Sequence, residues 1–395
     1  MVNEPAEMAR GSRVIFFSPS FGDGGVERDT VNLANGFLEL GVAVSLLIRE
    51  TGGAFLDQLH PGVERIRLSD SSPDGLGREL AQMLRDYPGC VVLSCNDADD
   101  RIAIAVKRQL AGQIDARFYV RVGTAIVSRI RENRFHRLTG WLQRRQLARL
   151  YRDCDGVITT SRGAAREIVE ELGIASTRVA PLPNPTLTPN FDGPDHGPAP
   201  HPWLEPGQPP VVIAIGRLAR VKDYPTLLRA FAQLRQHREC RLLILGQGRQ
   251  RGRLERLADE LDIRDVFDLP GFRPDPYAYL RRARLLAVSS TREGGPIVLI
   301  EALALGIPAV STDCPTGPRE ILQDGRYGPL VPVGRPDLLA KAMADRLDHP
   351  PSPDFLRQAA APYTQMNSCR LHLRAMGLGD LLPDTVSSEP TAPDK

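Results

Sequence analysis

Short apolar runs alternate with longer stretches of helical periodicity along most of the 395 residues. Residues 13–18 (RVIFFS) predict a strand, 19–25 a glycine-rich loop and 26–40 a helix that Gly41 stops. Further strands are expected over 42–48, 91–94, 118–122 and 156–160, with a helix over 100–110 and a helical segment over 128–151. Runs this short, without polar alternation, suit strands buried on both faces of a parallel sheet. Residues 180–210 then change character, with PLPNP followed by proline, glycine and aspartate and almost no aliphatics. The alternation resumes with strands expected over 211–216, 241–246, 266–269, 284–288, 308–311 and 328–333, and a last helix over 355–376.

That order predicts an α/β protein of two doubly wound parallel-sheet domains. The expected units are 13–185 and 210–350, a linker over 186–209 and a helical segment over 354–376. Residues 1–12 are expected to be flexible and 383–395 disordered.

The densest chemistry lies in residues 291–310, TREGGPIVLIEALALGIPAV. A strand enters a glycine turn, Pro296 stands at the first helical position, and Gly306 ends the helix. Amides at Gly294, Gly295 and the residues after Pro296 have no helical partner, and the dipole there favours an anion. Glu301 lies about 8 Å further along the axis at ~1.5 Å per residue. A ligand with phosphates at the helix start and hydroxyls within reach of a carboxylate fits this spacing, as a nucleotide sugar does. An ordinary βα unit with solvated Glu293 and Glu301 fits the stretch as well.

Three neighbouring strand ends carry turns of the same kind. Gly216-Arg217 and Lys222 follow the first strand of the second half, Gly246-x-Gly248 the next and Gly271-Phe272 the third. Ligands of open α/β sheets bind at the carboxyl ends of strands, so four such turns on one edge point to an anionic ligand. Small residues there would let it approach the backbone.

Composition narrows the class. A 42% hydrophobic, 25% charged chain of net charge +2 is an ordinary globular protein with no global field for nucleic acid or membrane. The six cysteines lack metal or disulfide spacing, which favours reduced thiols; no run has the length of a membrane span or the pattern of a signal peptide. A cytoplasmic protein is expected. Asp97-x-Asp99 and Asp153-x-Asp155 invite a metal reading, but they lie away from the phosphate-type turns, and no catalytic metal is expected. The basic residues concentrate in 128–152, where eight arginines face one glutamate with Phe135, Leu138, Trp141 and Leu142 interleaved. This describes an interfacial helix on an anionic membrane surface. A soluble helix with an arginine-rich outer face has the same pattern. No nucleic-acid-binding motif accompanies the charge, so no nucleic-acid partner is expected.

In order and spacing, Gly216-Arg217…Lys222-Asp223, Gly246-x-Gly248, Gly271-Phe272 and Glu293-x7-Glu301 resemble the retaining GT-B enzymes of glycosyltransferase family 4. The loop Gly24-Gly25-Val26-Glu27-Arg28 and Asn184 in PLPNP extend the resemblance over about residues 13–375. It implies a GT-B fold, two Rossmann-like domains facing a central cleft. It implies that Arg217 and Lys222 hold the diphosphate of a nucleotide-sugar donor, with a UDP-sugar expected, and stabilise the departing charge. Gly294, Gly295, Pro296, Ile297 and Val298 would support phosphate and sugar, Glu293 would contact the transferred sugar, and Glu301 would accept from the ribose hydroxyls. Gly24, Gly25 and Glu27 would line the opposite wall. Arg121 or Thr124 stands where many relatives carry a histidine. The mechanism implied is front-face, without a nucleophile, a metal or any cofactor beyond the donor. Residues 311–320 (STDCPTGPRE) resemble a subgroup that builds lipid-linked oligosaccharides and exopolysaccharides, which implies a glycan or polyprenyl-diphosphate-linked acceptor. A GT-B sugar-nucleotide epimerase and a non-catalytic nucleotide-sugar-binding protein remain as alternatives.

Overall fold

A computed structural model of the chain describes residues 13–382 except 23, 50–52, 54, 124, 133–136, 192, 194–196 and 274. The segments 1–12 and 383–395 expected to be flexible lie outside the described residues.

Two separate parallel sheets organise the molecule. The first contains β1 (Arg13–Phe17), β2 (Ala43–Ile48), β3 (Glu64–Arg67), β4 (Cys90–Ser94), β5 (Ala116–Val122), β6 (Gly156–Thr159) and β7 (Val179–Pro181). Their spatial order is β3-β2-β1-β4-β5-β6-β7. Helices α1 (Gly25–Glu39), α2 (Pro73–Asp86), α3 (Asp97–Gln109), α4 (Ile126–Glu132), α5 (Arg137–Asp153) and α6 (Arg162–Leu172) connect them. The second sheet contains β8 (Val211–Ile215), β9 (Arg241–Leu245), β10 (Phe267–Gly271), β11 (Leu285–Val288), β12 (Ala309–Thr312) and β13 (Leu330–Val331), ordered β10-β9-β8-β11-β12-β13. Its helices are α7 (Tyr224–Arg235), α8 (Arg251–Glu260), α9 (Tyr277–Leu280), α10 (Ile297–Ala304), α11 (Pro318–Ile321) and α12 (Pro336–Asp348), followed by α13 (Pro353–Ala360) and α14 (Gln365–Ala375).

In each sheet the chain reverses direction across the strand order once, between β1 and β4 and between β8 and β11. Such a switch point opens a crevice at the strands' carboxyl ends. The central strands explain their apolar runs: β1 and β4 are buried along nearly their whole length between helices. The pattern reading omitted β3, whose residues Glu-Arg-Ile-Arg occupy the sheet edge and are mostly exposed, so no apolar run marks them. It also omitted α2, although Ser72 accepts the Gly75 amide as its cap and Pro73 opens it.

Two expected single helices are in fact pairs. The 128–151 segment divides into α4 and α5. The 355–376 segment divides at Ala361–Tyr363 into α13, packed on α10, and α14, packed on α1. Cys369 and Leu373 of α14 belong to the first domain's core, and Gln365 Nε2 donates to the Asn32 carbonyl at 2.7 Å. The chain end therefore crosses back to the N-terminal domain. The 186–209 linker is strapped to the second domain. Phe191 and Leu204 are buried, Tyr279 donates to the Pro200 carbonyl and Arg281 to that of Phe191.

Candidate functional site

The site forms where two helix starts meet. The Gly24–Gly25 turn after β1 opens α1, and the Gly294–Pro296 turn after β11 opens α10. They are close enough that a Cβ added to Gly25 would sit 3.0 Å from Ile297 Cδ1. Pro296 is the cap of α10 rather than its first helical residue, with extended backbone (ψ 98°), so the helix starts at Ile297. Asn184 Nδ2 donates to the Gly295 carbonyl at 3.2 Å, Thr316 bonds the Glu293 carbonyl, and a Cβ on Gly295 would lie 3.2 Å from the Thr160 carbonyl. The central loop is thus held from both domains, and Gly295 suits that close approach.

Lys222 and Glu293, seventy-one residues apart, come together as an ion pair at 2.6 Å. A short 3-10 turn at Arg220–Lys222 delivers the lysine, tied down by Ser289 donating to the Lys222 carbonyl. Ser290 Oγ also donates to Glu293 Oε1, at 2.5 Å. An ammonium has three donors, so Lys222 retains N–H groups for a second anion. Arg217 is exposed at the end of β8, as is Phe272 at the end of β10.

The glycines at these strand ends act differently from the sequence reading. A Cβ on Gly246 (φ 150°) would meet the Gly216 carbonyl oxygen at 2.1 Å, and one on Gly248 the Leu218 oxygen at 2.4 Å. Their smallness lets the neighbouring loops of β8 and β9 pack on each other; Leu218 N–H donates to the Gln247 carbonyl at 2.8 Å. Gly271 has φ 90° and open space around a would-be Cβ.

Glu301 is 2% exposed and lies against Arg28 of α1, at 2.6 Å, and the Tyr277 hydroxyl, which donates to it at 3.0 Å. Neither partner was singled out from the sequence as a site residue. Arg28 was visible one helical turn after Gly24-Gly25, the same step that separates Glu301 from Ile297, but nothing in the sequence showed that the two turns face each other.

Three residues expected on the opposite wall need correction or fall outside the described part. Glu27 turns back to accept the Gly24 amide at 2.9 Å, so it caps its own helix. Arg121 is 1% exposed and does not line the cleft. It pairs with Asp29 at 2.8 Å and donates to Asn184 at 2.7 Å, because a guanidinium in the core needs a countercharge. Thr124 lies outside the described residues. Gly24 and Gly25 are exposed at the cleft.

The paired aspartates are engaged within the domain: Asp97 by Arg101, Asp153 by Arg108, Asp155 by Lys107 at 2.6 Å, and Asp99 by Ser20 and Asn96. Asn96, not an aspartate, caps α3. Among the described residues no group of three His, Cys, Asp or Glu is gathered as a metal site. The six cysteines are buried, and burial pushes the Cys314 thiol up to about 12.

Comparison with known proteins addresses this architecture. Residues 23–186 match the family model described as Glycosyltransferase Family 4, and residues 199–362 match that of the group 1 glycosyl transferases. A lipopolysaccharide outer core galactosyltransferase, WaaB, aligns over 92% of this chain and 99% of its own with a TM-score of 0.69 and 18% identity. The fold is GT-B. HepE of Anabaena in complex with UDP shares this GT-B arrangement over 92% of this chain and 99% of its own, at a TM-score of 0.71 and 16% identity. Among curated proteins, a Campylobacter jejuni N-acetylgalactosaminyltransferase named for a diphospho-undecaprenol-linked substrate is 34% identical over 148 residues, 38% of this chain and 39% of its own. The chain spans well under half the length of the curated relatives it matches.

Proposed function

We propose that the protein is a retaining glycosyltransferase that moves a sugar from a nucleotide-diphosphate donor, a UDP-sugar, to a glycan or lipid-linked acceptor in cell-surface polysaccharide synthesis. The observation that carries this reading is the Lys222–Glu293 pair set against the start of α10. A cation with spare donors near a helix start suits a departing diphosphate, and the neighbouring carboxylate suits a sugar hydroxyl. Both halves match glycosyltransferase family models, and relatives are named for a diphospho-undecaprenol-linked substrate and for colanic acid biosynthesis. Solved GT-B neighbours include complexes with UDP and UDP-glucose.

On this reading Lys222 and Arg217 neutralise the leaving diphosphate, Glu293 contacts the sugar, and Glu301 accepts from ribose. The residues supply this charge stabilisation without a metal. The test is a thermal-shift panel of nucleotide sugars followed by nucleotide release with and without glycan acceptors. A stabilising donor whose turnover depends on an acceptor and survives EDTA is expected. Release without acceptor would favour the epimerase, binding without turnover a silent binder, and Mn²⁺-dependent activity would overturn the proposed charge stabilisation.

A further inference from the structure

Arg28 and Tyr277 treat Glu301 asymmetrically. The Arg28 Nη2 contact at 2.6 Å and the Tyr277 hydroxyl contact at 3.0 Å both fall on Oε1. Arg28 Nη1 also donates to the Tyr277 oxygen at 3.1 Å, so the three groups close a triangle around one carboxylate oxygen. Oε2 takes no hydrogen bond from a described side chain. One oxygen is therefore committed, and the other keeps its lone pairs for an incoming donor.

The protonation states make the arrangement durable. Burial alone would lower the Arg28 pKa, but Glu301, Tyr277 and Asp29 together outweigh it and hold the guanidinium above its usual value. Burial, reinforced by Glu301, pushes the Tyr277 phenol up, so it remains a donor. Phe191 of the linker packs edge-on against the Tyr277 ring, with centroids 4.9 Å apart. Arg28 belongs to the N-terminal domain, while Glu301 and Tyr277 belong to the C-terminal one. The side chain of Glu301 is 3% exposed and that of Arg28 is 16% exposed. A carboxylate so buried loses its countercharge if α1 withdraws.

We infer that Arg28 is a positioning residue for the donor's ribose, acting through Glu301 from the opposite domain. It holds Oε1 of Glu301 and leaves Oε2 presented, so the ribose hydroxyls meet a complete acceptor only when α1 lies against α10. Ribose recognition and domain apposition are then one event. The inference rests on the reading of Glu301 as the ribose acceptor.

The experiment is calorimetric titration with UDP and 2′-deoxy-UDP, with the guanosine and adenosine pairs alongside, on the full chain. The variants are Arg28→Met, Arg28→Lys and Glu301→Gln. Wild type should favour the ribonucleotide by roughly tenfold or more, the scale of hydrogen bonds to a charged group. Arg28→Met should bring that ratio toward one while diphosphate-dependent binding persists, and adding Glu301→Gln should lower it no further. Arg28→Lys should give an intermediate ratio. Arg28→Met that keeps the ratio, or weakens both nucleotides equally, overturns the inference and leaves Arg28 a structural contact. If Arg28→Met does not fold, the lysine variant decides, and an unchanged ratio sinks the idea. Wild type that binds UDP but ignores the 2′-hydroxyl removes Glu301 from ribose recognition. Wild type that binds no nucleoside diphosphate instead overturns the donor-site reading, and the inference falls with it.

Discussion

Lys222 commits one N–H to Glu293 and keeps the rest for a phosphate, which makes it the residue on which the proposed chemistry depends most. Its contribution grows with the charge on the leaving group, so Lys222→Ala should lower kcat by roughly 10²-fold or more, the scale of losing one preorganised donor. Steady-state kinetics on the donor found by the panel measures this, and a near-normal kcat would remove Lys222 from the mechanism. Arg121 teaches the opposite lesson. The resemblance implied a cleft residue where many relatives carry a histidine, but it is buried with Asp29 and Asn184. His372 lies fully buried in the crossing helix, its Nδ1 paired with the Ser368 carbonyl at 2.8 Å. Burial first, and then the positive charge of Arg121, push its pKa down to about 3. An unfolded imidazole takes a proton below about pH 6.5. Between these values the unfolded chain holds more protons, so stability falls as the solution is acidified. Relative to His372→Gln, the wild type should lose about 2 kcal/mol between pH 6.5 and pH 5. Parallel unfolding midpoints for the two proteins over that range would show that His372 is not buried neutral.

At the scale of elements, α10 was the most legible, because proline and glycine punctuate an apolar run on both sides. Gly306 ends it with φ 73°, packed so that a Cβ would meet Pro353 at 2.6 Å. The α4–α5 region was less so. Leu147, Ala148, Leu150 and Tyr151 bury one side of α5, while Trp141 and Leu142 are 55% and 49% exposed. Arg145 lies over the Trp141 ring at 5.1 Å, and Arg144 pairs with Glu171 at 3.2 Å. Phe135 lies outside the described residues, as do the side chains of Leu138 and Arg137. No helix among the described residues is long and apolar enough to cross a membrane. An exposed tryptophan and leucine among exposed arginines suits a surface contact, and surface arginines near anionic lipid contribute ~1 kcal/mol each. Arg145→Glu with Arg149→Glu should therefore release the protein from anionic liposomes at low salt without changing its thermal midpoint. Arg144 is left intact because reversing it would set a like charge against Glu171. Co-sedimentation indifferent to lipid charge, or to the double variant, would leave α5 a soluble element.

At the scale of the whole molecule, the residue order alone determined the two parallel-sheet domains and the glycine-bearing turns at the ends of β8, β9, β10 and β11. Those features are local: buried strands need uninterrupted apolar runs, and turns need glycine and proline, so each is written where it occurs. Edge strand β3 escaped because an exposed strand has no such run, and the split of α13 from α14 escaped because a three-residue connection barely disturbs helical periodicity. What only the tertiary structure decided is which distant groups meet. Lys222 meets Glu293 because β8 and β11 are neighbours in the second sheet and their following loops share one edge, and Arg28 meets Glu301 because the two domains are apposed across a cleft. Arg121 faces the core because β5 presents it to α1 and to Asn184. Spacing along a helix fixes which side chains share a face. It carries no information about the face opposite, since that depends on how sheets stack and domains close.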